Sequence, residues 1–249
     1  MRVQKPIHSL VTIAVFALFA ACSPAKETAI TPPVASVGQV KVTDQLPVET
    51  DYSLVILGDS LTAGLGLAPD DAFPTIVQTD FAKNGRPDVR ILNAGVSGDT
   101  SKSALARFDW SVGPEADGVL IAIGANDMLN GLEPEQTRKN IEAMIKAARQ
   151  RKLDVFLTGM RAAPNMGADY GAAFDELYGK LATQYCVALY PFLLQALARA
   201  DGQSIDQNLI QRDGLHPTKA GAQRIGHALS GWLDTQLNTP HIPCAAKTK

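Results

Sequence analysis

The chain has 249 residues, 23 Lys and Arg against 25 Asp and Glu, and a formal net charge of −2. No basic cluster stands out, which argues against a nucleic-acid partner. Three cysteines and four histidines are scattered along the chain, without the spacing of a metal site or a dinucleotide or phosphate fingerprint, so no cofactor is expected.

Residues 1–21 begin with Arg2 and Lys5, run through an apolar segment at 10–19 and end in Ala20 and Ala21 before Cys22. The apolar part is too short to span a bilayer and reads as a secretory signal. A cysteine directly after small residues suggests a lipoprotein signal, with Cys22 lipidated at the mature N-terminus. Phe19 stands where such signals usually carry Leu, and plain cleavage after Ala21 is the alternative. Either way export is expected, to the periplasm. Ser23 after the cysteine hints at the outer membrane. Losing 1–21 removes two basic residues and no acidic ones, leaving a net −4. Residues 22–50, with Pro24, Pro32, Pro33 and Pro47 and no period, read as a flexible tether. Residues 51–249 remain as one domain. In an oxidising compartment Cys186 and Cys244 could pair; a buried free Cys186 is the alternative.

From Asp51 onward, strand-like and helix-like segments alternate. Residues 53–57, 89–92, 118–123, 155–157 and 187–190 read as strands, and 118–123 ("GVLIAI") is apolar enough to be covered on both faces. Helices are expected over 73–83, 101–108, from Pro134 with the stripe Ile141, Met144, Ile145 and Ala148, and over 174–185. A last helix is expected to start at Pro217, with Ile225, Ala228, Leu229, Trp232 and Leu233 on one face. This alternation means βαβ units, an α/β fold with a mainly parallel sheet between helix layers.

In such sheets ligands bind outside the carboxyl ends of the strands. That rule gathers "GDSLTAG" (58–64), "NAGVSGDTS" (93–101), "GANDML" (124–129) and "RAAPNMG" (161–167) at one edge. The first holds Ser60, which as a nucleophile would need a base and an orienter for that base. His8 is in the signal, His241 in a Pro-flanked tail, and His227 lies beside the last helix's apolar stripe. His216 remains, at a loop-to-helix junction with Asp213 three residues earlier, so one turn could supply base and orienter. A helix-capping turn with an exposed histidine is the plainer reading of that motif alone. Gly98 could offer an N–H to an oxyanion, and Asn126 its amide; each could equally be an ordinary turn residue.

Together with "DGLHP" (213–217), the stretches at 58–64, 93–101 and 124–129 resemble the four blocks of the SGNH (GDSL) hydrolase family. The closest resemblance is to its bacterial arylesterase, thioesterase I and lysophospholipase L1 group, over about residues 52–236. The resemblance implies a flavodoxin-like three-layer α/β/α fold and a metal-free esterase. Ser60 would be nucleophile, His216 base and Asp213 orienter. The N–H groups of Ser60 and Gly98 and the amide of Asn126 would form the oxyanion hole. "GDSL" is not the G-x-S-x-G elbow, because Thr62 stands where the second glycine would be.

The expected substrates are aryl and short-to-medium acyl esters, with lysophospholipids and acyl thioesters as further members of the class. Met128, Leu129, Leu132, Met166 and Tyr170 lie in loops at the same edge and could line an acyl groove, or simply pack on the body. The alternatives are a polysaccharide O-acetyl esterase and a non-catalytic surface lipoprotein. The five intact site residues speak against the second.

Overall fold

The computed structural model describes residues 51–201 and 204–239. The signal at 1–21, Cys22, the tether at 22–50, His241 and Cys244 lie outside the described residues. Five strands form one wholly parallel sheet: β1 (Tyr52–Gly58), β2 (Val89–Gly95), β3 (Gly118–Ala122), β4 (Asp154–Thr158) and β5 (Ala188–Tyr190). Their spatial order is β2-β1-β3-β4-β5. A parallel sheet needs cover on both faces, and the central strands are apolar throughout. Leu54, Val55, Ile56 and Leu57 of β1 and all five residues of β3 are buried.

One helix layer pairs α2 (Phe73–Lys83) with the last helix, α8 (Lys219–Leu237); the other holds α3 (Ser101–Ala106), α6 (Pro134–Gln150) and α7 (Ala168–Tyr185). The expected stripe of α6 is buried in full: Ile141, Met144, Ile145 and Ala148 face the sheet. Three short helices complete the set: α1 (Ser60–Ala63), α4 (Phe108–Ser111) and α5 (Ala125–Leu129). The fold is therefore a three-layer α/β/α sandwich. The chain leaves β1 toward one side of the sheet and crosses to the other after β2, so the strand order reverses between β1 and β3. The crevice at that reversal, at the carboxyl ends of β1 and β3, is where this architecture places its sites.

Several local expectations need correction. The last helix starts at Lys219 and not at Pro217, because Thr218 is its N-cap and Pro217 sits in a bridge opposite Ile210. Ala228 is exposed, and the buried face of α8 runs through Ala222, Ile225, Leu229 and Leu233. The single helix expected over 101–108 is two, broken at Arg107. Helix α7 begins six residues before Phe174, its first turns packed too loosely to show an apolar period.

Candidate active site

β1 ends at Gly58, and Asp59 caps the short helix α1 by accepting a hydrogen bond from the Leu61 N–H at 3.0 Å. Ser60 is thereby the first residue of α1, at the carboxyl end of a central strand. Close packing holds the turn: a Cβ on Gly95, the last residue of β2, would lie 2.2 Å from the Ala63 nitrogen. Only glycine lets the β2 end approach the Ser60 turn so closely.

His216 and Asp213 come from the loop before α8. The loop is tied by hydrogen bonds from Gln211 N–H to His216 C=O at 2.7 Å and from Thr218 N–H to Leu209 C=O at 2.8 Å. Asp213 Oδ1 accepts from the N–H groups of Leu215 and His216, at 2.9 and 3.1 Å. Its Oδ2 lies 2.7 Å from His216 Nδ1, and His216 Nε2 lies 2.7 Å from Ser60 Oγ. A carboxylate only accepts, so Nδ1 carries the proton and Nε2 of the neutral ring is left to accept from the serine hydroxyl. The two backbone N–H donors and the imidazole push the Asp213 carboxyl down to about 2, so it is ionised at neutral pH.

Opposite Ser60, Gly98 sits with φ +87°, a left-handed conformation, and nothing lies within 4 Å of where its Cβ would be. Asn126, in α5, donates from Nδ2 to the Asp99 carbonyl at 2.9 Å. Two polar clusters stand behind these groups. The wholly buried Asp127 accepts from the Ser101 N–H at 2.7 Å, from the Ser101 hydroxyl at 2.5 Å and from the Thr137 hydroxyl at 3.1 Å. Asn140 donates to that same Ser101 hydroxyl at 2.9 Å. The second cluster centres on Arg107, which donates to the Asp99 carboxylate and the Gly58 carbonyl. Asp59 itself is 1% exposed. Burial raises its carboxyl to about 6, partly offset by the Leu61 N–H and the nearby His216.

A cleft of about 640 Å³ opens beside Ser60 and His216 and is lined mostly by apolar side chains. Met128 and Leu129 line it as expected, but Leu132 and Met166 do not. Leu132 is in the turn after α5, where its carbonyl accepts from Tyr170 Oη at 2.9 Å, and Met166 packs against the core. Tyr170 is held outside the cleft by that bond and by stacking on Phe174. The expected groove is instead completed by Leu61, Met160, Phe192, Leu194, Ile205 and Ile210. Met160 and Phe192 follow β4 and β5, and the strand-end rule could have found them. No sequence signal points to Ile205 or Ile210.

Known proteins resemble this chain in sequence and in fold. A model of the GDSL-like lipase/acylhydrolase family matches residues 56–224. The chain belongs to that family. As a GDSL-like lipase/acylhydrolase it is a carboxylic ester hydrolase. It is 36% identical over 187 residues to Esterase TesA of Pseudomonas aeruginosa, covering 75% of this chain and 88% of that one. To Thioesterase 1/protease 1/lysophospholipase L1 of Escherichia coli K12 it is 30% identical over 186 residues, covering 74% and 83%. Among solved structures, a crystal structure of TesA superposes with a TM-score of 0.67 at 34% identity, covering 75% of this chain and 99% of that one. The esterase EstA from Pseudoalteromonas sp., inhibited by monoethylphosphonate, gives 0.70 at 28% identity, covering 76% and 100%. The GDSL-family match begins within β1, at Ile56, and runs through β2 to β5, the His216 loop and the first turn of α8.

Proposed function

We propose that this chain cleaves carboxylic esters through Ser60, His216 and Asp213, by way of an acyl-enzyme. The observation that carries the reading is the unbroken hydrogen-bonded line Ser60 Oγ–His216 Nε2, His216 Nδ1–Asp213 Oδ2, each link 2.7 Å. His216 takes the Ser60 proton as Oγ attacks the ester carbonyl. The carbonyl electrons move onto oxygen, and the N–H groups of Ser60 and Gly98 and the second N–H of the Asn126 amide hold that oxyanion. The intermediate collapses, and the alcohol leaves with the proton from His216. Water then attacks the acyl-enzyme by the same route and releases the acid. Asp213 stays ionised and holds the ring in the productive tautomer.

For substrate, the apolar lining of the cleft supports aryl and short-to-medium acyl esters, with thioesters and lysophospholipids in the same class as the relatives' names. We further propose that the chain is exported and membrane-anchored through Cys22, on the strength of the basic, apolar and small-residue order of 1–22.

Hydrolysis of p-nitrophenyl esters from acetate to palmitate, with the full chain and Ser60→Ala, tests the catalytic reading. Activity should vanish in the variant, and kcat/KM should rise beyond acetate, since each methylene buried contributes about 0.8 kcal/mol, roughly fourfold. A wild-type optimum at acetate would favour the O-acetyl esterase. An active Ser60→Ala would overturn the nucleophile.

A further inference from the structure

All three donors assigned to the oxyanion hole connect to a single guanidinium, Ser60 and Gly98 along the chain and Asn126 through a hydrogen bond to Asp99. Arg107, at the break between α3 and α4, is largely buried, and its side chain meets three partners. Nη2 donates to the Gly58 carbonyl at 2.9 Å, two residues before Ser60. Nε donates to the Asp99 carboxylate at 2.5 Å, one residue after Gly98, and Nη1 to Ser111 Oγ at 2.7 Å. Asp99 then passes the connection on: its backbone carbonyl is the acceptor that holds Asn126 Nδ2. The Gly58 carbonyl also accepts from Val96 N–H at 3.0 Å, so the ends of β1 and the Gly98 loop meet on the same atom.

We propose that Arg107 and Asp99 form a positioning pair that sets the distance between the nucleophile loop and the Gly98 loop and orients the Asn126 amide, given Ser60 as nucleophile. Neither side chain touches substrate, since neither lines the cleft. The Arg107–Asp99 pair is 16% and 11% exposed at the side chains, too enclosed to be an ordinary surface ion pair, and its geometry spans three separate segments where a loop clip needs only one. A planar fork can bind Asp99, Gly58 and Ser111 at once; an ammonium has no such fixed geometry. The oxyanion donors matter only while charge is on the carbonyl oxygen. Loosening them therefore lowers kcat and leaves ground-state binding alone.

The test compares Arg107→Gln, Arg107→Lys and Asp99→Asn with wild type and Ser60→Ala on p-nitrophenyl butyrate. Rates are normalised to folded protein by circular dichroism. Asp99→Asn keeps the backbone carbonyl that holds Asn126 and removes only the carboxylate, so it carries the test even if an Arg107 variant fails to fold. The expected result is a 10–100-fold fall in kcat with KM within twofold for Arg107→Gln and Asp99→Asn, as losing one whole donor costs roughly 10²–10³. Arg107→Lys should fall in between, and added guanidinium should restore part of the rate to a folded Arg107→Ala. A merely structural pair would lower the melting temperature and leave kcat of the folded protein unchanged. That outcome, with Ser60→Ala inactive, overturns the positioning role alone. An active Ser60→Ala would instead remove the catalytic reading on which it stands.

Discussion

At Asp59 the residue that caps the Ser60 turn also has an unusual titration. Its carboxyl is 1% exposed and raised to about 6 from an ordinary 3.8, chiefly by burial. Between those values the folded chain keeps a proton that the unfolded chain has released. Stability from this group is thus full below about pH 4, falls as pH rises through 6, and stays lower above it. Asp59→Asn keeps an oxygen to accept from Leu61 N–H but cannot ionise. Urea denaturation should show the variant gaining on wild type by roughly 2–3 kcal/mol between pH 4 and 7.5. An equal difference at both pH values would mean that Asp59 is ionised throughout. Asp213 is shifted the other way, down to about 2, by the backbone N–H of Leu215 first and then by His216. It is ionised across the working range, so Asp213→Asn should hold its geometry yet present the wrong tautomer to Ser60. The expected fall in kcat is about 10³–10⁴-fold, read from steady-state hydrolysis of p-nitrophenyl butyrate. A loss under tenfold would mean that His216 needs no orienter.

Between elements, the strongest local coupling is Asp127, which joins α3, α5 and α6 through Ser101 and Thr137. Asp127→Ala strips the acceptor from a buried N–H and two buried hydroxyls. Each orphaned group costs about 1–3 kcal/mol, so the domain should lose at least about 3 kcal/mol, a fall of roughly 6–12 °C in melting temperature. A calorimetric melt within 2–3 °C of wild type would show that water or a neighbour replaces the carboxyl. Such couplings also mark the limit of what the chain reveals as a sequence. The strands were legible because a doubly covered strand must be apolar, as 118–123 is, and α6 because its stripe repeats at i, i+3, i+4 and i+7. The start of α7 was not, since Gly167 caps it, Gly171 falls in its first turn and that turn packs little against the core. At the site, Ser60, Gly98, Asn126, Asp213 and His216 lie in short stretches whose composition singles them out. Asp127 sits beside Asn126 in the same block, but its partners Ser101 and Thr137 are brought to it only by the packing of three helices. Arg107 is likewise silent in sequence, because its meaning lies in bonds to Asp99 and to Gly58, the latter 49 residues away.

Across the whole molecule, every residue of the site lies between Gly58 and His216, and no described helix is long and apolar enough to cross a membrane. The anchor proposed for this chain rests instead on the basic, apolar and small-residue order of residues 1–22. The proposed lipid site at Cys22 lies outside the span from Gly58 to His216. Anchoring and catalysis should therefore separate cleanly. With the full chain expressed in a bacterium that processes lipoproteins, wild type should sediment with membranes and enter the detergent phase on phase separation. Cys22→Ser should appear in the soluble exported fraction. Both should hydrolyse a soluble ester with the same kcat/KM, within about twofold, because the variant leaves the Ser60–His216–Asp213 line untouched. A wild-type protein already soluble would leave plain cleavage after Ala21 as the processing route. A Cys22→Ser protein that stays with the membrane would mean that another part of the chain holds it there.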